Sequence, residues 1–570
     1  HSIYFLFLLF STNFLNTKSA IFLFFVKTTM NISIWFSWPA GSWVNTAGLL
    51  LWELLSQKGF NVLADKEYVS IIKGGNNCFF LYITDNDTPH ISKTIDLFFA
   101  FDDYAITKNE KIYALKNILN IKTLAKKHKN IFAFWASLKA LWISKEEGIV
   151  LLEKTFSQAV LDENKEELLA WYEYFDTVQL DFKIDLDFSK NIWPQKLFMF
   201  GNELIVKWAI DSWLEFYSAY PMTPASSIID IIVKYPEKVT FFQWEDEIAV
   251  GMSMLWAKFA GKRAVCWTSG WWFALMSEGI SFSNQAEIWW VYVLSQRDGP
   301  STGTPTFTAQ GDLFYAMNAS FGDTQPIVYA PSKFEELYTD IWKALNWSDI
   351  YQHPVIFLLD KQLSESYKSI ATDLQAEPID RGIIAESKQN DEYLRYKLTD
   401  TGISPYAVPG QENTTFIATS YEHTESWETN EDPVIKWQQM EKRMKKLQTF
   451  VQKEFNESFY GYEIINPNAK KFYVTRGMNC YSIEYAIQNK ADWWLIVIKS
   501  FQPFDKRLKK FFQEKKDNIE KLVFVEMNYL GQMQQVVMRE CNLLDDSWQW
   551  KISHIRKNWL YPFFYEEITD

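Results

Sequence analysis

Residues 262–280 read KRAVCWTSGWWFALMSEGI, an apolar strand passing through a polar turn at Thr268, Ser269 and Gly270 into a helix. Such turns are built on glycine, which has no Cβ, tolerates positive φ and lets a backbone or ligand approach. Here Trp267, Trp271 and Trp272 surround the turn instead. The composition repeats the anomaly: Gly is 21 of 570 residues, well under the usual ~7%, while Trp is counted 26 times. Together the two types make up about 8% of the chain, close to an ordinary glycine share. The reading adopted is that most of these tryptophans are glycines in the organism. Some bacterial lineages read UGA as glycine, and a table that reads it as tryptophan produces this pattern. The alternative takes the indoles literally, as platforms of a non-catalytic protein that binds carbohydrate or a membrane interface. That alternative has to explain paired Trp inside apolar runs such as EIWWVYVL (287–294), where interior packing is expected.

Outward from this stretch, VTFFQWEDE (239–247), EIWWVYVL and HPVIFLLD (353–360) are apolar strands alternating with helix-like segments. That alternation is the signature of a mostly parallel sheet, and it defines an αβ domain over 196–370. Before it, Met30 leads into a short strand, a small-residue loop, an apolar helix and another strand, the βαβ opening of a doubly wound sheet spanning 30–195. Restoring glycine at Trp35, Trp38 and Trp43 makes the loop a glycine-rich turn, suited either to an anion or to tight strand–helix packing. Residues 371–412 are polar and read as a linker. KKFYVTRG (470–477), WWLIVIK (493–499) and KLVFVEMN (521–528) are strands of a third αβ domain over 413–570. The fold class is therefore α/β, with three αβ domains.

Composition excludes several functions. A net charge of -13 concentrates no Lys and Arg for phosphates, so no nucleic-acid partner is expected. The main basic cluster, KRMKKLQTFVQK (442–453), reads as a solvated helix face. Cys78, Cys266, Cys480 and Cys541 form no C-x-x-C pair and the six His no ligand spacing, so no metal or iron–sulfur site is expected on this chain alone. A reducing, cytoplasmic compartment fits. Two apolar runs in residues 1–29 fall short of the ~20 residues of a membrane span. This segment is read as translated upstream DNA with Met30 as the start, a signal or anchor being the other reading.

Reactive side chains concentrate in the second domain. YPMTPASSI (220–228) sets Thr223 between two prolines on a stiff turn. EDEIAVGMSM (245–254) puts Glu245, Asp246 and Glu247 at a strand-to-helix junction, and QRDGPSTGTPT (296–306) offers Arg297, which can clamp a carboxylate with two parallel hydrogen bonds. Singly, each has a plainer explanation: a turn residue, acids complementing a helix N-terminus, a surface ion pair.

Taken together and in order, YPMTPASSI, EDEIAV, TSG followed by FALMSEGI, and QRDGPSTGTPT resemble successive motifs of the alpha subunit of 2-oxoacid:ferredoxin oxidoreductases. The likeness continues through RYKLTDTGISPYAVPG (395–410), SYEHTES around His423, MEKRMKKL (440–447) and VEMNYLGQM (525–533), and residues 30–195 resemble the family's gamma unit fused ahead of alpha. The resemblance implies a transketolase-like pyrimidine-binding domain at 196–370 and a transketolase C-terminal-like domain at 413–570. It implies an enzyme that binds thiamine diphosphate between alpha and a separate beta subunit. Magnesium and an iron–sulfur cluster are expected on beta, since no Gly-Asp-Gly followed by paired Asn occurs here. The implied reaction is oxidative decarboxylation of a 2-oxoacid with coenzyme A to an acyl-CoA, carbon dioxide and reduced ferredoxin. The fused arrangement favours 2-oxoglutarate, with pyruvate, branched or aryl 2-oxoacids as alternatives. Carried over by motif, Glu247 is the catalytic carboxylate toward the aminopyrimidine, Ser269 and Gly270 face the cofactor, and Thr223 and Arg297 bind substrate. Family members carry glycine where this chain has Trp35, Trp38, Trp43, Trp208, Trp213, Trp256, Trp267, Trp272 and Trp427; Trp193 and Trp342 stay undecided.

Overall fold

The computed structural model describes residues 30–39, 45–68, 75–86, 88–124, 129–158, 161, 162, 165, 196–371, 374, 376–386, 392–488 and 490–568. The expectation for residues 1–29, Trp43 and Trp193 lie outside the described residues. Three large sheets organise the described residues, beside a two-stranded pair of Thr94–Ile95 and Ala114–Leu115. The first runs Ile118–Asn120, Leu97–Ala100, Asn31–Pro39, Asn76–Thr84, Asn61–Glu67, Tyr367–Ala371, Lys196–Phe200. Helix Asn45–Gln57 packs its apolar residues Leu50, Leu51, Leu54 and Leu55 into the core on one face.

This sheet departs from the doubly wound expectation. Asn76–Thr84 inserts antiparallel between Asn31–Pro39 and Asn61–Glu67, pairing with both over their whole lengths. The insertion has a clear cause: NNCFFLYIT is apolar along nearly all of its length and is buried on both faces, which a central strand requires. Trp35 and Trp38 therefore sit inside a strand rather than in a turn, paired with Phe80 and Asn77.

The second sheet runs Thr240–Gln243, Phe216–Ala219, Ala264–Thr268, Val291–Gln296, Val355–Asp360, Ile327–Tyr329, and its first six strands are parallel. Short strands Phe216–Ala219 and Ile327–Tyr329 had no distinct sequence pattern of their own. Ser500–Gln502 from the third domain adds antiparallel at its edge. The third sheet, Tyr462–Ile464, Trp493–Ile498, Lys471–Thr475, Lys521–Glu526, Ile552–Arg556, is parallel except for its first strand.

The basic run does not form a solvated face. In helix Pro433–Glu454, Lys442 and Lys446 are buried on Glu287, each at 2.5 Å, and Arg443 forks onto Glu422. The cations point inward because a buried carboxylate on the second domain needs them. Residues of the polar stretch after 380 also pack: Arg395 is fully buried and donates to the Glu287 carbonyl at 2.7 Å. A parallel cluster binds Asp349 to Lys258, Arg263 and Arg381, with the Trp289 indole donating at 2.9 Å.

Several tryptophans occupy backbone that glycine would take without strain. Trp142 (φ 58°) and Trp213 (φ 65°) are left-handed residues just past helices Lys129–Ala140 and Gly201–Asp211, and Trp427 lies at φ 112°. Around Trp213 the pattern is a Schellman motif: its N–H donates to Ile210 O and that of Leu214 to Ala209 O. Trp38, Trp244, Trp267 and Trp494 have buried indole N–H groups without a hydrogen-bond acceptor. Trp289, Trp290 and Trp493 are buried in the strand region, as packing residues rather than as a platform. Among the described residues no helix is long and apolar enough to cross a membrane.

Candidate active site at the carboxyl edge of the second sheet

In a parallel sheet the loops that follow the strands cluster at one edge, and ligands bind there. Every site residue read from the sequence lies just beyond the end of such a strand: Thr223 after Phe216–Ala219, Glu247 after Thr240–Gln243, Ser269 and Gly270 after Ala264–Thr268, and Arg297 after Val291–Gln296.

The structure brings several of them together. The Arg297 guanidinium donates to the Thr223 carbonyl at 2.9 Å, and burial lowers its pKa against the pull of Asp312 and Tyr68. Ser269 is fully buried, with its hydroxyl 3.5 Å from the Met222 sulfur, one residue from Thr223. Gly270 is needed for a close approach: a Cβ there would stand 2.3 Å from a carboxylate oxygen of Asp312. Ser269 takes the N-cap position of the short helix Gly270–Phe273 without a side-chain capping bond, and within that helix the Trp271 and Trp272 rings stack at 4.6 Å.

Glu247 begins helix Glu247–Phe259, and the cap itself is Asp246, whose carboxylate accepts from Ala249 N at 2.7 Å. The three acids thus divide as capping and non-capping groups. Glu247 is buried at 2% exposure, and neither carboxylate oxygen has a hydrogen-bond partner. Burial pushes its pKa up to about 7, with Asp246 adding to the rise. Leaving such a group unpaired costs roughly 1–3 kcal/mol, so it is a strong candidate for a ligand-facing residue.

Sequence reasoning missed Asp312 and Tyr68. Asp312 is pushed up to about 6 by burial, opposed by Arg476 and Arg297. Its only signal was a Gly-Asp step after a polar loop. Behind it, a buried network joins the second and third domains: Gln310 donates to Asp360 and to the Arg476 carbonyl, and Arg476 donates to Gln296. Among the described residues no group of three or more His, Cys, Asp or Glu is placed to hold a metal.

Residues 208–443, which contain this edge, match the family described as pyruvate flavodoxin/ferredoxin oxidoreductase, thiamine diphosphate-binding. The 2-oxoglutarate synthase subunit KorA of Methanocaldococcus jannaschii is 30% identical over 355 residues, and the match covers 93% of that protein and 61% of this chain. The chain belongs to the alpha subunits of the 2-oxoacid:ferredoxin oxidoreductases. The 2-oxoacid:ferredoxin oxidoreductase alpha subunit of Sulfolobus sp. is 28% identical, with 87% of this chain and 90% of the relative aligned. A solved 2-oxoglutarate:ferredoxin oxidoreductase from Magnetococcus marinus, with 2-oxoglutarate, coenzyme A and succinyl-CoA bound, is 25% identical. It superimposes with a TM-score of 0.83 over 94% of this chain and 98% of its own. This alpha subunit is thus an α/β oxidoreductase component with a thiamine diphosphate-binding domain, one subunit of a larger enzyme.

Proposed function

We propose that this alpha subunit, with a beta subunit, oxidatively decarboxylates 2-oxoglutarate in preference to other 2-oxoacids, yielding an acyl-CoA, carbon dioxide and reduced ferredoxin. The observation that carries the reading is Glu247, buried with two unpartnered carboxylate oxygens at the edge where parallel sheets bind ligands. The donor chemistry fits thiamine diphosphate. A carboxyl with a pKa raised to about 7 can share a proton with an aminopyrimidine nitrogen near neutral pH. When bound, that cofactor supplies the electron sink for loss of carbon dioxide from a 2-oxoacid.

The chain's own residues then have separate roles. Glu247 holds or gives up the proton at its carboxylate. Ser269 and Gly270 admit the cofactor through a turn where no Cβ intrudes on Asp312. Arg297 binds the substrate carboxylate, and Thr223, held against Arg297 through its carbonyl, orients the 2-oxo group. Magnesium, the iron–sulfur cluster and the docking of ferredoxin belong to beta in this reading. The domain division follows the same scheme: a gamma-type unit at 30–195, the pyrimidine-binding unit at 196–370, a connecting stretch at 371–412 and a transketolase C-terminal-like unit at 413–570. The chain carries its tryptophans as a reading of UGA codons that specify glycine.

Co-expressed alpha and beta subunits, assayed for ferredoxin reduction with a panel of 2-oxoacids and coenzyme A, test the reading. A higher kcat/KM for 2-oxoglutarate than for pyruvate or branched substrates supports it, and a preference for a monocarboxylic substrate overturns the substrate choice.

A further inference from the structure

Lys66 and Tyr68 belong to the first domain, which the scheme above leaves without a role in chemistry. Strand Asn61–Glu67 lies in the first sheet beside Tyr367–Ala371. That neighbour follows helix Lys361–Glu365, which begins directly after the second-sheet strand Val355–Asp360 and is capped by Asp360. The end of the first-domain strand is in this way carried to the edge that holds Thr223 and Arg297.

Tyr68 makes the link directly. Its hydroxyl donates to Glu365, 3.0 Å from each carboxylate oxygen, and the Thr223 side chain lies near enough to act on the phenol. Arg297 feels the phenol electrostatically. Two ammonium groups stand over the Tyr68 ring, Lys361 at 4.8 Å and Lys66 at 5.8 Å from its centroid. They differ in their partners. Lys361 is paired with Glu365 at 2.8 Å, and the nearby Glu67 is taken by Lys108 at 2.7 Å. Among the described residues Lys66 has no ion pair within 4.0 Å, and the centroid of the Tyr367 ring lies 5.9 Å from its ammonium. Burial works against its charge, but Glu365, Tyr367 and Asp65 outweigh burial and keep it protonated. Lys66 also lines a cleft with Asp65, Glu67, Lys361, Thr306 and Thr308, closed by Tyr561 and Phe564 at the junction of the three domains. The cleft has a volume of about 30 Å³, room for about two waters or the oxygens of one carboxylate.

We propose that Lys66, steadied by Tyr68, recognises the distal carboxylate of a dicarboxylic 2-oxoacid whose 2-oxo end is held by Thr223 and Arg297, making the first domain a specificity element of the site. The proposal rests on the placement of substrate given above. Its physical basis is that a half-buried ammonium with no close ion pair gains one from a dicarboxylic substrate and gains none from a monocarboxylic one.

The test uses the alpha–beta complex with ferredoxin, comparing kcat/KM for 2-oxoglutarate and pyruvate in the wild type and in Lys66→Met, Lys66→Arg and Tyr68→Phe. In Lys66→Met the ratio of the two constants falls at least about tenfold, mainly through KM for 2-oxoglutarate, and Lys66→Arg recovers most of it. Tyr68→Phe lowers the same ratio by a smaller factor. A merely structural lysine would lower both constants together and leave the ratio unmoved. If the wild type prefers 2-oxoglutarate and the ratio is unchanged in Lys66→Met, the role of Lys66 is overturned while the substrate reading survives. If the wild type shows no such preference, the substrate reading falls and this proposal with it.

Discussion

Glu247 opens its helix without capping it, and that division of labour with Asp246 decides what the carboxylate is free to do. Replacing it with Gln removes the group that shares the proton, so turnover of the alpha–beta complex is expected to fall by about 10²-fold or more, measured as ferredoxin reduction. The same change has a stability signature in the subunit without cofactor. Because the folded pKa is raised to about 7, above the ordinary value, the wild type loses stability as pH rises through that range. Glu247→Gln is therefore expected to be about 1–3 kcal/mol more stable than wild type at pH 8, with the difference shrinking at pH 5. Arg297→Ala should act differently, raising KM for the 2-oxoacid by leaving its carboxylate unpaired, at a loss of about 2–4 kcal/mol in kcat/KM. Residue chemistry also speaks to the tryptophans. A left-handed Trp213 in a Schellman motif costs roughly 1–2 kcal/mol relative to glycine, so Trp213→Gly in protein made with the printed sequence should raise stability by about that amount. Peptide mass spectrometry of protein from the native organism should find glycine at Trp213, Trp267 and Trp427; indole masses there would reject the recoding.

Helix Pro433–Glu454 shows how an element can contradict its own surface pattern. Asp432 caps it through Val434 N and Ile435 N, and Pro433 fits its first turn, so the start is local and visible in the sequence. By sequence alone its basic run reads as solvated, because nothing near it along the chain supplies a partner. Glu287 lies 155 residues away from Lys442, and only the packed helix brings them together. Burial opposes ionisation of Glu287, but Lys442, Lys446 and Arg395 hold its pKa well below the ordinary carboxylate range. Stability from a lowered pKa is present above the unfolded-state value and is lost as pH falls through the folded one. Glu287→Gln is therefore expected to destabilise the chain by about 3–5 kcal/mol at pH 7 in denaturant titrations, by leaving two buried ammonium groups unpaired.

At the scale of the whole molecule the three domains are stitched rather than strung. Lys196–Phe200 and Tyr367–Ala371, at the borders of the second domain, complete the first sheet, and Ser500–Gln502 from the third completes the second. A chain lacking residues 30–195 would expose the edge of Tyr367–Ala371, so such a truncation is expected to melt lower and to aggregate, checked by thermal scanning and light scattering. The strand–turn–helix at 262–280, the three αβ blocks, and the placement of Thr223, Glu247, Ser269 and Arg297 just after strands were all legible in the sequence. Alternating apolar strands, turn residues and ordered motifs are local patterns, and a parallel sheet sends each following loop to the same edge. The antiparallel insertion of Asn76–Thr84, the inward-facing cations on Glu287, the carboxyl of Asp312 and the reach of Tyr68 to Thr223 were decided only by tertiary structure. Each depends on a partner far away along the chain, and both the burial that shifts a pKa and the ammonium left without a close ion pair exist only once those distant segments have packed.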